Sequence, residues 1–428
     1  MKFLRYLIPV LLGTVQLMAI PAWSRMSGQS CNACHATPTW QLTSMGLDFL
    51  KNGHRLEATK VDPKDQKWDN YLSLVWKGRA YGDSLDSQRT GLANTQKPAT
   101  NFEQHSFSLY TGGALSDRFS YFTELYLNEN TGSTSGANVV QGDAARKKMA
   151  EAFLQYNQPI SKDLFLSVRA GEILPGILHV FGVGARSAEQ RAVVLNEQLA
   201  GSTNTYRPFS RQQGMDATLA GKNYEAAIGV VNGSSTSVTN SIDADNHKDW
   251  YASFLYDFSA IHTGLGVFHY DGQYSNYATA NDFSTALSFD NKFKKDGLLA
   301  RFVQDKFRIV GTYFMGEETM APGTLINGLP VAKTKNVGFY GLVDYNFSDS
   351  FGIYARYDSL DPNKDVSNNS TTMSMIGLNG MLYQSDKSGA RWNFEYTEKQ
   401  AYLGGNITTA GTTKLKDKKY FFQLTWGF

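Results

Sequence analysis

Only two cysteines occur in 428 residues, so no disulfide network holds this chain together. After residue 24, no apolar run approaches the ~20 residues of a membrane helix. One-sided charge is also missing: 41 Lys and Arg face 39 Asp and Glu, and no basic tract appears. Nucleic acid is therefore not an expected partner. Mean hydropathy is only −0.35. Against these absences stand 26 Phe, 23 Tyr and 39 Gly. Many aromatics on a polar average, without membrane helices or disulfides, describe an outer-membrane β-barrel.

The start of the chain reads as an export signal. Lys2 and Arg5 precede a largely apolar stretch from Leu7 to Ile20, and Ala22-Trp23-Ser24 supplies small residues at the cleavage positions. The expected leader is 1–24, with Arg25 opening the mature chain.

Both cysteines lie in Cys31-Asn32-Ala33-Cys34-His35, the attachment sequence of a c-type haem. Two thiols at this spacing form thioethers with the haem vinyl groups, and the adjacent imidazole becomes the proximal axial ligand. A zinc site needs about four ligands, usually a second cysteine pair, and none follows. A redox dithiol belongs beside a βαβ pattern, which is absent here. One covalent haem c on Cys31, Cys34 and His35 is the prediction. Leu42, Met45, Leu47, Phe49 and Leu50 suit a short helix ended by Gly53. The candidates for the distal axial ligand are His54 and Met45. The other histidines, 105, 179, 247, 262 and 269, are expected to be ordinary surface or lumen residues.

From Asn70 onward the pattern has period two. Phe119, Tyr121, Thr123, Leu125 and Leu127 share one face, and Ser120, Glu124 and Asn128 the other. Val337 to Tyr345 and Ala390 to Tyr396 alternate likewise, placing one row on lipid and one in a lumen. Tight turns near Gly112–Ala114, Gln158–Ser161 and Gly221–Asn223 interleave with long polar segments such as Asp83–Asn101, Glu172–Gln212 and Asp271–Lys295. That rhythm predicts an all-β, up-and-down antiparallel barrel of about sixteen strands, with tight periplasmic turns and long external loops. Asp282–Lys292 is assigned to an external loop, because another strand breaks the even count. Ser187–Leu199, inside the longest loop, has the pattern of a helix, and a loop of that length has the option of folding inward. Tyr420, Phe422, Leu424, Trp426 and Phe428 end the chain as an amphipathic strand closing on Phe, similar to the signal read by the outer-membrane insertion machinery. The expected division is a leader (1–24), a monohaem segment and linker (25–67) and the barrel (68–428), with both termini periplasmic.

The stretch Trp23-Ser24-Arg25-Met26-Ser27-Gly28-Gln29-Ser30, with Leu42-Thr43-Ser44-Met45-Gly46 and Phe49-Leu50-Lys51-Asn52-Gly53, resembles the fused cytochrome–porins. These include outer-membrane iron-oxidising cytochromes. The likeness covers residues 23–55; beyond them it is one of architecture and length. It implies a haem plug at a sixteen-stranded barrel, carrying electrons across the outer membrane. The implied partners are extracellular iron, outer-membrane lipid, and a periplasmic c-type cytochrome or other periplasmic carrier. Members of the family typically have Phe-Ala-Arg-Gln-Thr-Gly where this chain has Trp-Ser-Arg-Met-Ser-Gly, and aromatic residues are common where His54 stands. The expected function is inward oxidation of extracellular Fe(II); the alternatives are outward delivery to metal acceptors and a porin whose haem plug senses or gates. No second catalytic set is visible; Gly182-Val183-Gly184-Ala185 is a lone glycine-rich stretch.

Overall fold

The computed structural model describes residues 22–24, 29, 31–36, 41–51, 54, 71–87, 99–129, 148–174, 192–196, 211–233, 247–261, 263–277, 287–304, 306–384 and 388–428. Sixteen of its strands close into one antiparallel barrel. In chain order they are β1 (Leu72–Ser87), β2 (Ala99–Ala114), β3 (Phe119–Glu129), β4 (Lys148–Ser161), β5 (Leu164–Ile173), β6 (Gln212–Gly221), β7 (Tyr224–Val231) and β8 (Asp249–Phe258). There follow β9 (Thr263–Tyr277), β10 (Leu287–Gln304), β11 (Phe307–Thr319), β12 (Lys333–Ser348), β13 (Phe351–Asp361), β14 (Thr371–Gln384), β15 (Gly389–Leu403) and β16 (Thr413–Gly427). Each strand pairs with its sequence neighbour, and β16 pairs with β1 to leave no edge. Phe428 completes the seam, exchanging two backbone hydrogen bonds with Leu74 at 2.7 and 2.9 Å.

The predicted strand count and the alternation of connections are both found. Tight turns fall at residues 115–118, 162–163, 222–223 and 349–350, a few residues beyond several of the predicted positions. The first turn is Leu115–Arg118 rather than Gly112–Ala114, which is still strand. Asp282–Lys292 is corrected more substantially. Its last residues, from Leu287, belong to β10, which pairs with β9 as far as Tyr277. The count stays even because this is an extension of a strand already counted.

A cross-strand row made of Phe254, Val267, Leu298, Tyr313 and Phe339 shows how the outer face is built. All five side chains are exposed. Large apolar side chains in register on an outer wall fit hydrocarbon, not water. Among the described residues no helix is long and apolar enough to cross a membrane; the strands do so. Two pleats further along β10 the outward side chains become Asp296 and Lys294, which pair with His269 (2.7 Å) and Asp271 (3.2 Å) on β9. Trp250 packs on His269 at 4.9 Å. A Trp packed on a polar side chain, with such polar pairs beside it, marks the edge of the apolar belt. Leu298→Arg, inside the belt, should cost about 2–4 kcal/mol of folding stability; urea titration of the protein folded into lipid vesicles measures it.

The inward rows carry more apolar surface than a water-filled pore needs. Phe122, Phe153, Tyr251, Tyr270, Phe314, Tyr340 and Tyr354 all point inward and are buried. Part of the reason is the segment between β5 and β6. Its described helix, Val193–Asn196, packs on β12, β13 and β14, about half the barrel circumference from where the segment leaves the wall. Val194 docks on Gly338, where a Cβ atom would lie 2.3 Å from Val194 Cγ2. The Val193 backbone N–H donates to the Asp358 carboxylate. The segment is therefore brought across the lumen at Val193–Asn196, which falls inside the helix predicted over Ser187–Leu199; Ala192 is not helical, and the rest of that prediction lies outside the described residues.

Candidate functional site

The residues flagged by the sequence sit in a small N-terminal unit built from local hydrogen bonds. Cys31–Cys34 forms one helical turn. Positions three apart on such a turn share a face, so the backbone presents both cysteine positions to one side with His35 immediately after. That is the arrangement a doubly attached haem requires, and the donor set fits it. His35 and Ala36 pair antiparallel with Leu42 and Gln41, which fixes the backbone that carries the imidazole. Burial pushes the Cys34 thiol up.

Thr43, which the sequence reading passed over, ties this turn to the next element. Its backbone N–H donates to the Cys34 carbonyl at 2.9 Å, and its hydroxyl donates to the Ala33 carbonyl at 2.5 Å. The same oxygen accepts from the Gly46 N–H at 3.2 Å, capping the helix Ser44–Lys51. A Thr three residues before a small helical residue was the available signal.

The helix Ser44–Lys51 buries Gly46 and Phe49 and exposes Met45 and Asp48. After it, His54 takes a left-handed backbone conformation, φ 62°, and its N–H donates to the Phe49 carbonyl at 2.8 Å. A non-glycine residue held there is uncommon, and strain of this kind clusters at functional positions. The two distal-ligand candidates are thereby separated: Met45 is 41% exposed and His54 is 4% exposed.

His54 is buried against the barrel wall itself. Its ring stacks on Phe122 of β3 at 5.9 Å and on Phe153 of β4 at 6.2 Å, and it lies 4.8 Å from Trp23. Both phenylalanines face inward, so this part of the N-terminal segment lies within the lumen. Arg169 lies 5.3 Å from the Phe153 ring centroid and is held in turn by Asp216, with Nε donating to Oδ1 at 2.8 Å. Tyr251 donates to the same carboxylate at 2.7 Å. Nearby, Arg211 reaches Glu124 at 2.7 Å, and Tyr110 donates to Glu124 at 2.6 Å. Buried charges and phenols are thus matched to one another, as burial demands. Asp216→Ala leaves the Arg169 guanidinium buried without its carboxylate and should cost about 3–5 kcal/mol. A loss below about 1 kcal/mol in urea unfolding would mean that lumen water solvates the arginine.

Three of the other histidines fall among the described residues. His105 is buried beside Glu103, 3.6 Å away. His269 pairs with Asp296 on the outer face, and His247 lies just before β8. His179 and His262 are outside the described residues. Among those described, no group of three or more His, Cys, Asp or Glu is placed to hold a metal ion.

No protein-family model matches this sequence, and no curated protein does. Solved structures do. The outer membrane channel DcaP of Acinetobacter baumannii superposes with a TM-score of 0.54 at 10% identity, over 83% of this chain and 97% of that one. The chain has the porin fold. The anion-selective porin from Comamonas acidovorans gives 0.53 at 10% identity, over 82% and 98%. OmpT of Vibrio cholerae gives 0.51 at 10% identity, over 83% and 97%. At such identities the likeness fixes the architecture alone.

Proposed function

We propose that this protein is an outer-membrane porin-type barrel plugged by its own N-terminal segment, and that the plug carries one covalent haem c. The observation that carries the reading is the burial of His54 between Phe122 and Phe153, inside the barrel wall. Cys31 and Cys34 would hold the haem, with His35 as proximal axial ligand. Burial and the constrained backbone favour His54 over Met45 as the distal one. Such a haem supplies one-electron transfer. Tight turns and both termini face the periplasm, and the long loops face outward.

The use assigned to the plug is electron transfer between an extracellular donor, ferrous iron, and a periplasmic cytochrome or comparable carrier. A barrel wall around the redox group keeps that route out of lipid. The Val193–Asn196 loop and the plug narrow the lumen from different walls, which suits electron passage better than free solute flow.

Purified protein in sealed vesicles, with ferrous iron on the loop side, is the test. The haem should reduce, and a c-type cytochrome on the other side should reoxidise it. Reduction from the opposite side, with delivery to an external ferric acceptor, would reverse the direction. No reduction from either side, with conductance that changes on haem oxidation, would leave a gated porin.

A further inference from the structure

We propose that Trp23 is retained in the mature protein, the leader being cut no later than after Ala22, and that its indole locks the N-terminal segment into the lumen and sets the orientation of His54. Sequence alone places Trp23 in the leader, since Ala22 and Ser24 stand where a peptidase wants small residues. Ala22 itself offers a small residue two positions earlier. The structure builds Trp23 into the barrel. Its indole Nε1–H donates to the Gly112 carbonyl of β2 at 3.0 Å. The preceding Ala22 is buried, with its N–H donating to Ser73 Oγ of β1 at 2.8 Å.

The same indole packs against three rings at the plug. It lies 5.2 Å from Phe49, 4.8 Å from His54 and 5.7 Å from Phe122. One side chain thus joins the helix Ser44–Lys51, the candidate ligand after it, and β2 and β3 of the wall. A Trp with its N–H satisfied and its rings packed is a strong anchor. Cutting after Ser24 would remove the partner of the Gly112 carbonyl and uncover His54 on the Trp23 side. Trp23 is therefore a positioning residue. Its bearing on axial ligation rests on the haem reading above; its role as a lock does not.

Intact-mass analysis of the protein from outer membranes tests the first half. A mature chain starting at Trp23 or earlier is expected, and one starting at Arg25 overturns the proposal. Hydrogen exchange of residues 44–54 tests the lock. Trp23→Ala should raise exchange there by roughly tenfold or more. Trp23→Phe, which keeps a ring but loses the indole N–H, should fall between it and wild type. Unchanged exchange in Trp23→Ala overturns the lock. Measured again in a Cys31→Ala/Cys34→Ala chain, the effect should persist, so failure of the haem reading is separable. In the haem-bearing chain, Trp23→Ala should shift the low-spin spectrum; an unchanged spectrum overturns the claim on His54 orientation.

Discussion

Replacing Cys31 and Cys34 together by Ala should give a colourless protein whose barrel still folds and inserts. The two thiols have no second cysteine pair to serve as an alternative partner. The barrel's hydrogen bonds and its closing seam at Leu74 and Phe428 are independent of them. Wild type should hold one haem per chain by pyridine haemochrome assay, and the double variant none. Two haems per chain, or full colour in the double variant, would refute the assignment. Of the two distal candidates, His54→Ala should drive the low-spin spectrum toward high spin while Met45→Ala leaves it unchanged. The reverse result would return the distal role to Met45 despite its exposure.

Removing the plug should have the second large effect, on the lumen. A chain lacking residues 25–67 but keeping its leader loses His54 and the Phe49 packed on it, and so uncovers Phe122 and Phe153 of the β3 and β4 wall. Water can then replace them on that side. Conductance in planar bilayers should rise by roughly an order of magnitude, toward that of an open porin. If it stays at the wild-type level, the Val193–Asn196 loop closes the pore alone and the plug has no part in gating. Substituting Gly338 by Val discriminates further: its side chain collides with Val194, so the loop should leave the far wall and conductance should rise with the plug in place.

Why one part of the barrel was misread from sequence is visible in β10. Within the bilayer, the outward Leu298 follows the small inward Gly297, the contrast that announces a strand. Above it the rule inverts: Lys292, Lys294 and Asp296 point out while Phe293 points in and is buried. Apolar-out, polar-in is a property of the lipid-facing stretch only, so the strand looked like a loop where it leaves the membrane. The inward aromatics follow the same logic, since a lumen filled by the N-terminal segment and a folded loop rewards apolar side chains.

The sequence by itself determined the barrel class, the sixteen strands, the rhythm of long and short connections and the Cys-x-x-Cys-His spacing. All of these are local signals, read within a few residues as period-two alternation, turn chemistry or fixed spacing. Tertiary structure decided the rest. It chose which histidine is buried at the plug, matched Arg169 to Asp216, carried Val194 to Gly338 and drew Trp23 onto Gly112. Those contacts join residues from 47 to 89 positions apart where a hydrogen bond defines them. No local pattern encodes which inward side chain meets which; that depends on closing the barrel and filling it.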